Sequence, residues 1–234
     1  MESQTYIGGE LELFQVAENW KQYYGAFIKP HLKGTVIEVG AGIGGTTKHL
    51  CDGTQNEWLC IEPDARLEQH ITTMITKKEL PACCKSICGV LSDVKDKQAD
   101  AIIYIDVIEH IENDKVELLV AAEHLKSGGI LAIVVPAHQY LYSNFDKSIG
   151  HFRRYSRSLL KSVIPASLVI EKAIYLDSVG LSASLTQKLF LKQSYPKVAQ
   201  IKIWDNFMVP VSKITDWLTG YNLGKSVLLI ARKP

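Results

Sequence analysis

A glycine-rich turn, Gly40-Ala-Gly-Ile-Gly-Gly45, lies between a β-branched run and a segment of helical spacing. Gly40, Gly42 and Gly45 satisfy the pattern G-x-G-x-x-G, in which glycines turn the chain sharply and let a ligand approach the backbone. The helix that follows offers unpaired N–H groups to an electronegative ligand group. Glu62 ends the next predicted strand, where a carboxylate can accept two hydrogen bonds from a ribose diol. Together these features predict a site for an adenosine-type cofactor.

Groups suited to acid–base or metal chemistry follow the strand predicted over 101–105. Asp106, Glu109 and His110 come directly after it, and His151 lies in a later loop. Open α/β sheets bind ligands beyond the carboxyl ends of their strands, so we expect these side chains near the reacting atoms. Glu109 and His110 either begin a helix and satisfy loop amides, or His110 is a general base, or all four side chains hold a divalent cation. We assign His110 and His151 as the candidate catalytic residues, and the cation is the less favoured hypothesis.

A run of basic side chains spans 151–161. Its members are His151, Arg153, Arg154, Arg157 and Lys161. Arginine forks suit phosphate or carboxylate groups. The run is therefore either a solvated loop and helix start, or an element that binds an anionic acceptor. His138 and Tyr142 lie close by in the sequence and are candidates for lining the same acceptor pocket.

Length and composition limit the class of protein. The chain has 234 residues, 26 Lys plus Arg against 25 Asp plus Glu, a formal charge of +1 and 47% hydrophobic residues. These values are ordinary for one large globular domain, and they give no support for nucleic-acid binding or disorder. The first residues lack the pattern of a secretory signal, and no stretch has the ~18 consecutive apolar residues of a membrane-spanning helix. We expect a cytoplasmic protein, monomeric or homodimeric, without a transmembrane segment.

The chain contains five cysteines, Cys51, Cys60, Cys83, Cys84 and Cys88. An odd number at irregular spacing does not indicate a disulfide framework, and the paired C-x-x-C spacing of a zinc site is missing. We expect free thiols that pack as small hydrophobic groups. Such thiols fit a reducing compartment.

Strand and helix signals alternate along the chain. Apolar and β-branched runs predict strands at 35–39, 58–61, 86–91, 101–105, 130–135, 168–175 and 226–232. Apolar strands that alternate with helices predict a parallel sheet covered on both faces. Residues 176–225 carry no strand signal and predict a helical cap inserted before the last strand.

Three segments in order carry a family resemblance. Val36-Ile-Glu-Val-Gly-Ala-Gly-Ile-Gly44 resembles motif I of class I S-adenosylmethionine-dependent methyltransferases. The stretch 99–111, with Asp106-Val-Ile-Glu-His110, resembles their fourth strand and its following loop, and Leu125-Lys-Ser-Gly-Gly129 resembles their approach to the fifth strand. Gly150-His-Phe-Arg-Arg-Tyr155 is similar to a narrower bacterial subgroup. The C-terminal part of the chain also fits that subgroup, so the resemblance covers nearly the whole chain.

The resemblance implies a fold and an activity. The fold would be a Rossmann-like, doubly wound, seven-stranded and mostly parallel sheet in a three-layer α/β/α domain over 1–234. Residues 34–136 would form the cofactor core, and 137–165 and 176–225 the acceptor and cap region. The activity would be transfer of a methyl group from S-adenosylmethionine to a small-molecule or carrier-linked acceptor, at oxygen rather than nitrogen. S-adenosylhomocysteine would be the product, and the acceptor would be anionic or lipid-linked.

The resemblance also implies the cofactor contacts. The residues concerned are Trp20, Glu38, Gly40, Ala41, Gly42, Gly44, Glu62, Pro63, Val90, Leu91 and Asp106. Glu38 would lie near the amino end of the methionine moiety, on or through the glycine loop. Asp106, or the backbone beside it, would face that moiety, and Glu62 would bind the ribose hydroxyls. Leu91 stands where many relatives have an Asp, so adenine would be read by backbone amides. Trp20 would cover the cofactor or pack within its own helix.

A stripe of apolar residues marks one predicted helical face in the cap. Its members are Trp204, Phe207, Val211, Ile214 and Leu218. Such a stripe is typical of a face buried in the core. It could instead be a lid over an apolar acceptor or a membrane-facing surface.

Three further functional classes compete with methyl transfer. Tyr221-Asn-Leu-Gly-Lys225 matches the Y-x-x-x-K pattern of a nicotinamide-dependent oxidoreductase. Gly224 and the strand that follows argue against a helix that could present both side chains, so we interpret this match as chance. The second class is a non-catalytic S-adenosylmethionine-binding module, and the third is an aminopropyltransferase.

Overall fold

The computed structural model describes residues 10–190 and 197–234, and within them a single mixed sheet contains seven strands. The strands are Thr35–Val39 (β1), Glu57–Glu62 (β2), Cys84–Cys88 (β3), Ala99–Ile105 (β4), Leu125–Pro136 (β5), Val169–Leu176 (β6) and Ser226–Arg232 (β7). Their order across the sheet is β3-β2-β1-β4-β5-β7-β6. Strand β7 runs antiparallel to both of its neighbours, whereas the other paired strands are parallel. The predicted doubly wound, mostly parallel sheet is confirmed.

The α-helices cover both faces of the sheet. They are Glu10–Phe14 (α1), Glu18–Ile28 (α2), Gly45–Leu50 (α3), Ala65–Thr76 (α4), Asp114–His124 (α5), Asn144–Ser148 (α6), Arg157–Val163 (α7), Ser178–Phe190 (α8), Val198–Ile203 (α9) and Val209–Leu218 (α10). A π-helical turn, Trp204–Met208, joins α9 and α10 into one helical run, which we call the cap helix (198–218). No helix among the described residues combines the length and hydropathy needed to cross a bilayer.

Alternating strand residues build two separate cores. Val36 and Ile37 are neighbours on β1 and both are fully buried, but they belong to different hydrophobic clusters. Successive side chains of a strand point to opposite faces of the sheet, so each core occupies one face. One core packs against helices that include α2 and α4, and the other against α5 and α7. The result is the predicted three-layer α/β/α arrangement.

The cap helix is oriented opposite to the prediction from its apolar stripe. Trp204 is buried, but Phe207 is 70% exposed, Ile214 62% and Leu218 67%, and Val211 is also exposed. The interpretation of this stripe as a core face is therefore wrong for four of its five members.

The buried side of the cap helix is polar because it caps two other helices. Asp205 accepts hydrogen bonds from the backbone N–H groups of Asn19 (3.0 Å) and Trp20 (2.8 Å) in the first turn of α2. Asp216 accepts from the N–H groups of Asp177 (2.6 Å) and Ser178 (2.9 Å), where α8 begins. The first N–H groups of a helix have no partner within the helix, and buried acceptors on another element satisfy them here.

Candidate functional site

A cavity of about 990 Å³ opens at the carboxyl edge of the sheet. Its wall includes residues at the ends of three adjacent strands: Gly40 after β1, Glu62 on β2 and Asp106 after β4. Ligand pockets for a single small molecule measure about 300–1,000 Å³. The cavity lies at the upper end of this range and is therefore large enough for a large cofactor.

The glycine turn shapes one wall of this cavity. The N–H groups of Gly40 and Ala41 donate to the carbonyl oxygen of Ile61 at 2.8 and 3.1 Å. Gly40 has φ +67°, and a Cβ atom there would lie 2.6 Å from Cγ2 of Val107. Both the positive φ and the close contact require glycine. The turn therefore holds the start of α3 directly beside the end of β2.

Glu62 is held at the cavity wall by the backbone. Its Oε2 accepts from the N–H of Gly42 (2.8 Å) and its Oε1 from the N–H of Asp64 (3.0 Å). The side chain is buried, and burial raises the pKa of Glu62 despite these two hydrogen bonds. Each carboxylate oxygen has a second lone pair. Glu62 is thus oriented by the protein and still able to accept from a diol.

Most of the predicted cofactor contacts line this cavity. They are Trp20, Gly40, Ala41, Gly42, Glu62, Pro63, Val90 and Asp106. Trp20 is a wall residue and also belongs to an aromatic cluster. Its ring packs edge-on against the ring of Tyr24, with centroids 5.6 Å apart, and is tilted against the ring of Trp204, with centroids 5.8 Å apart. The two interpretations of Trp20 are therefore compatible.

Glu38 does not line the cavity, which corrects the expectation that it contacts the cofactor directly. Its Oε2 accepts from the Thr47 hydroxyl (2.6 Å) and the Trp58 indole N–H (2.8 Å). Burial raises the pKa of Glu38 to about 7, although these hydrogen bonds act in the opposite direction. Glu38 therefore links β1 to α3 and β2.

Gly44 and Leu91 also lie outside the cavity wall. Gly44 caps α3 with φ +76° and packs towards Met74. Leu91 is fully buried in the turn after β3, because the apolar side chain joins the core there. The N–H of Val90 already donates to Asp93 at 2.9 Å. The amide of Val90 is therefore engaged within the protein, and the reading of adenine by other backbone amides near this position stays a prediction.

The two predicted catalytic histidines meet at the cavity wall. The rings of His110 and His151 pack edge-to-face with centroids 4.4 Å apart, and both line the cavity. Glu109 is fully buried beside them, with its Oε1 3.9 Å from Nε2 of His151. Among the described residues, neither carboxylate oxygen of Glu109 has a hydrogen-bond partner. The interpretation in which Glu109 and His110 begin a helix and satisfy loop amides holds in part, because both lie in a short helical turn, Ile108–His110, and His110 has a hydrogen bond to the backbone of Ile149.

Asp146, which no sequence pattern indicates, orients His151. This fully buried carboxylate receives hydrogen bonds from Nδ1 of His151 (3.0 Å) and from Nε (2.7 Å) and Nη2 (3.0 Å) of Arg154. Burial acts to raise the pKa of Asp146, but these bonds outweigh it and hold the pKa well below its ordinary value. We infer that Nδ1 of His151 carries the proton shared with Asp146, which leaves Nε2 facing Glu109.

The local environment disfavours the charged forms of His110, Asp106 and Glu109. Burial and the neighbouring His151 lower the pKa of His110 to about 4, so its imidazole is neutral near pH 7. Burial raises the pKa of Asp106 to about 6, and burial together with Asp106 raises the pKa of Glu109 well above its ordinary value. One atom from each of Glu109, His110 and His151 lies within 4.8 Å of the others. The neutral imidazole of His110 can therefore accept a proton from a ligand, and the three side chains together can hold a divalent cation.

The basic run is largely occupied by internal contacts. Arg153 donates to the carbonyl oxygens of Ile111 and Glu112 (both 2.8 Å) and to Asp114 (3.0 Å). Arg157 donates to Asn222 (2.9 Å) and lies over the ring of Tyr175. Of this run only His151 and Arg154 line the cavity. These contacts hold the loop in place, and they weaken the hypothesis of an anionic acceptor.

Among the described residues, three lysines line the cavity, Lys21, Lys188 and Lys225, and sequence patterns indicate Lys225 alone, in the Y-x-x-x-K match. Lys21 donates to the carbonyl oxygen of Gln15 at 2.7 Å, and Lys225 lies over the Trp204 ring at 5.2 Å. Tyr221 packs instead against Phe27, with ring centroids 5.7 Å apart. Tyr221 and Lys225 therefore do not meet at the cavity as the Y-x-x-x-K pattern of an oxidoreductase would require. The fold, and not this pattern, brings Lys225 to the cavity wall.

Comparison with solved structures shows similar folds at low sequence identity. A geranyl diphosphate methyltransferase in complex with S-adenosylmethionine matches with a TM-score of 0.65 and 12% identity, over 97% of this chain and 92% of the other. A coclaurine N-methyltransferase matches with a TM-score of 0.64 and 11% identity, over 99% of this chain and 83% of the other. The [4+2]-cyclase SpnF matches with a TM-score of 0.63 and 15% identity, over 94% of this chain and 82% of the other. Since one of these proteins is a cyclase, the fold alone does not determine the reaction.

Sequence comparison identifies the family. A mitochondrial ubiquinone biosynthesis O-methyltransferase of Dictyostelium discoideum is 29% identical over 108 residues, which are 42% of this chain and 34% of that protein. The match thus spans about a third of the relative's length. The model of the family described as methyltransferase domain matches residues 14–167, well over half of the chain. The chain therefore belongs to the methyltransferase domain family, and it has the fold of class I S-adenosylmethionine-dependent methyltransferases.

Proposed function

We propose that the protein transfers a methyl group from S-adenosylmethionine to a small-molecule acceptor and releases S-adenosylhomocysteine. The observation that carries this proposal is the Glu62 carboxylate, which the N–H groups of Gly42 and Asp64 hold at the cavity wall. Its remaining lone pairs suit the two hydroxyls of a ribose. Bound S-adenosylmethionine would supply an already activated methyl group, so the protein's main tasks are alignment and exclusion of water.

The acceptor atom is an oxygen in this proposal. A hydroxyl must lose its proton as it is methylated, and a nearby proton acceptor assists this loss. His110 and His151 provide imidazole nitrogens for this role on the cavity wall, with Asp146 fixing the orientation of His151. The buried side chain of Glu109, whose oxygens have no hydrogen-bond partner among the described residues, supports a ligand at this place, since a buried polar group without a hydrogen bond is costly unless it serves a ligand.

The acceptor is apolar and lipid-linked in this proposal. The cavity wall near the histidines carries apolar side chains such as Ile105, Leu141 and Ile149, whereas the arginines of the basic run are mostly engaged elsewhere. The exposed apolar side chains of the cap helix support the same conclusion. That helix contributes Ile201 and Trp204 to the cavity wall, so its apolar outer face lies close to the cavity. Such a face suits delivery of a lipid-linked substrate.

Cofactor binding is the first test. We expect S-adenosylmethionine and S-adenosylhomocysteine to raise the melting temperature of the protein, and NAD to leave it unchanged. Stabilisation by NAD alone would overturn the proposal in favour of an oxidoreductase. Binding of S-adenosylmethionine without turnover of any hydroxyl or amine acceptor would favour the non-catalytic module.

Turnover with paired acceptors tests the chemistry. Apolar phenols and the matching anilines differ in the acceptor atom alone, and we expect methylation of the phenol. A chelator added to the same assay separates the two ways in which the histidine group can act. Activity that survives chelation indicates direct proton transfer, whereas loss and recovery with a divalent cation indicates a metal held by Glu109, His110 and His151.

A further inference from the structure

Three thiols meet at the amino-terminal edge of the sheet, away from the cavity. Cys51 follows the last residue of α3, and Cys83 and Cys84 stand at the start of β3. The Sγ atom of Cys51 lies 3.5 Å from that of Cys83 and 3.6 Å from that of Cys84. One sulfur from each residue lies within 4.8 Å of the other two. Folding has therefore collected a cluster that the spacing along the chain conceals.

The spacing of the three sulfurs is close to that of a zinc site. A tetrahedral Zn²⁺ ion with Zn–S bonds of about 2.3 Å separates its sulfur ligands by about 3.8 Å. The observed contacts need to lengthen by only a few tenths of an ångström. A disulfide would instead require two sulfurs to approach to about 2.05 Å. The cluster is thus closer to the geometry of a metal site than to that of a disulfide.

The surroundings provide a further oxygen and a route of entry. The side-chain amide of Gln55 is buried, and its Nε2 donates to the carbonyl oxygen of Leu32 at 3.0 Å. This bond fixes the amide so that Oε1 faces Cys51, whose Sγ donates to it at 3.5 Å. Cys51 and Cys84 are buried, whereas Cys83 is only partly buried. An ion can therefore enter on the side of Cys83.

We propose that Cys51, Cys83 and Cys84 bind one Zn²⁺ ion through three thiolates. Binding forms three Zn–S bonds and releases three thiol protons to the solvent. The fourth position is taken by water or by Oε1 of Gln55. The ion cross-links the end of α3 to the start of β3, and its role is to stabilise the fold. This site is independent of the methyl-transfer chemistry proposed for the cavity.

Zinc titration of the reduced, metal-free full-length protein tests this proposal. In competition with a chromophoric chelator we expect one Zn²⁺ per chain and a rise in melting temperature. Co²⁺ in place of Zn²⁺ should give thiolate-to-metal charge-transfer absorption. The variants C51S and C83S should weaken zinc binding at least 100-fold and lose the charge-transfer band. The matched control is C88S, because Cys88 is exposed and lies outside the cluster; it should bind zinc as the wild type does.

Two results would overturn the proposal. One is zinc binding of unchanged affinity in C51S and C83S. The other is a lack of saturable zinc binding by the reduced wild-type protein, with a disulfide among these cysteines forming on mild oxidation. If C51S fails to fold, C83S still decides the matter, because Cys83 is only partly buried and its replacement by serine is mild.

Discussion

The glycine turn and the cap helix differ in how their side chains relate to the local sequence. Gly40 in the turn and Glu62 at the end of β2 both lie where the sequence predicts. The positive φ of Gly40 and the strand end at Glu62 are local properties of the chain. In the cap helix, Phe207 and Leu218 point outwards while Asp205 and Asp216 are buried. Periodicity shows that a helix has an apolar face, but it does not show what that face contacts.

The cap helix buries its polar side and exposes its apolar side for a physical reason. A buried carboxylate is costly unless it is hydrogen-bonded, and exposed apolar surface is costly where water covers it. Asp216 accepts from two backbone N–H groups and also from the hydroxyl of Tyr23 at 2.8 Å. These contacts offset the cost of burying Asp216. The outer apolar face is then left for contact with a lipid in the proposed function.

The largest effects are expected at the histidine group. We predict that H151A and H110A each lower kcat by roughly 10²–10⁴-fold, the usual range for loss of an acid–base group. Binding of S-adenosylhomocysteine should stay within about twofold, because these side chains are not among the groups proposed to bind the ribose. Single-turnover assays and calorimetry give the two quantities. A kcat within threefold of the wild type would show that this group is not catalytic.

The variants D216A and L218A test which side of the cap helix is buried. Asp216→Ala leaves three donors without their acceptor, and we expect the free energy of unfolding to fall by about 3 kcal/mol. Leu218→Ala removes an exposed side chain and should change stability by less than about 0.5 kcal/mol. Urea unfolding measures both. A larger loss for L218A than for D216A would mean that the apolar face is the buried one after all.

Loss of the carboxylate at the cofactor wall should weaken binding without unfolding the protein. For E62Q we expect roughly 100-fold weaker binding of S-adenosylhomocysteine, since two hydrogen bonds to a charged acceptor contribute about 1.5 kcal/mol each. Calorimetry measures the affinity. The control is E57Q, because Glu57 begins the same strand but pairs with Lys85 and Lys97 away from the cavity. Equal affinities for E62Q and the wild type would remove the observation on which the proposed function depends.

The smallest effect on stability is expected on the outer face of the cap helix. The combined change F207S, I214S and W217S should alter the free energy of unfolding only slightly, because all three side chains are mostly exposed. It should lower binding to vesicles of anionic phospholipid several-fold in a sedimentation assay. Lys202 and Lys213 are the charged residues of the cap helix besides its two buried aspartates, which favours an anionic surface. Equal vesicle binding by both proteins would count against a lipid-linked acceptor.

Local patterns predicted much of the fold and of the cofactor wall. Strands β1 and β7 lie within the predicted boundaries, because β-branched and apolar runs bounded by turns have few competing conformations. The hypothesis that Asp106, Glu109 and His110 join His151 placed the two histidines together, and their rings do meet. The prediction was wrong for Glu38, because an acidic residue in an apolar strand has more than one possible partner. Thr47 and Trp58 bind its carboxylate, and nothing near Glu38 in the sequence indicates them.

The sequence by itself determined the sheet, the glycine turn and the strand ends that define the cofactor side, because propensity, periodicity and turn chemistry act over a few residues. Tertiary structure alone decided which face of the cap helix is buried, which carboxylate orients His151 and which cysteines meet. These outcomes depend on partners far apart in the chain, as between Tyr23 and Asp216, which lie 193 residues apart. Burial and hydrogen bonding select such partners only once the chain is folded, since each buried polar group must find an acceptor or donor within reach.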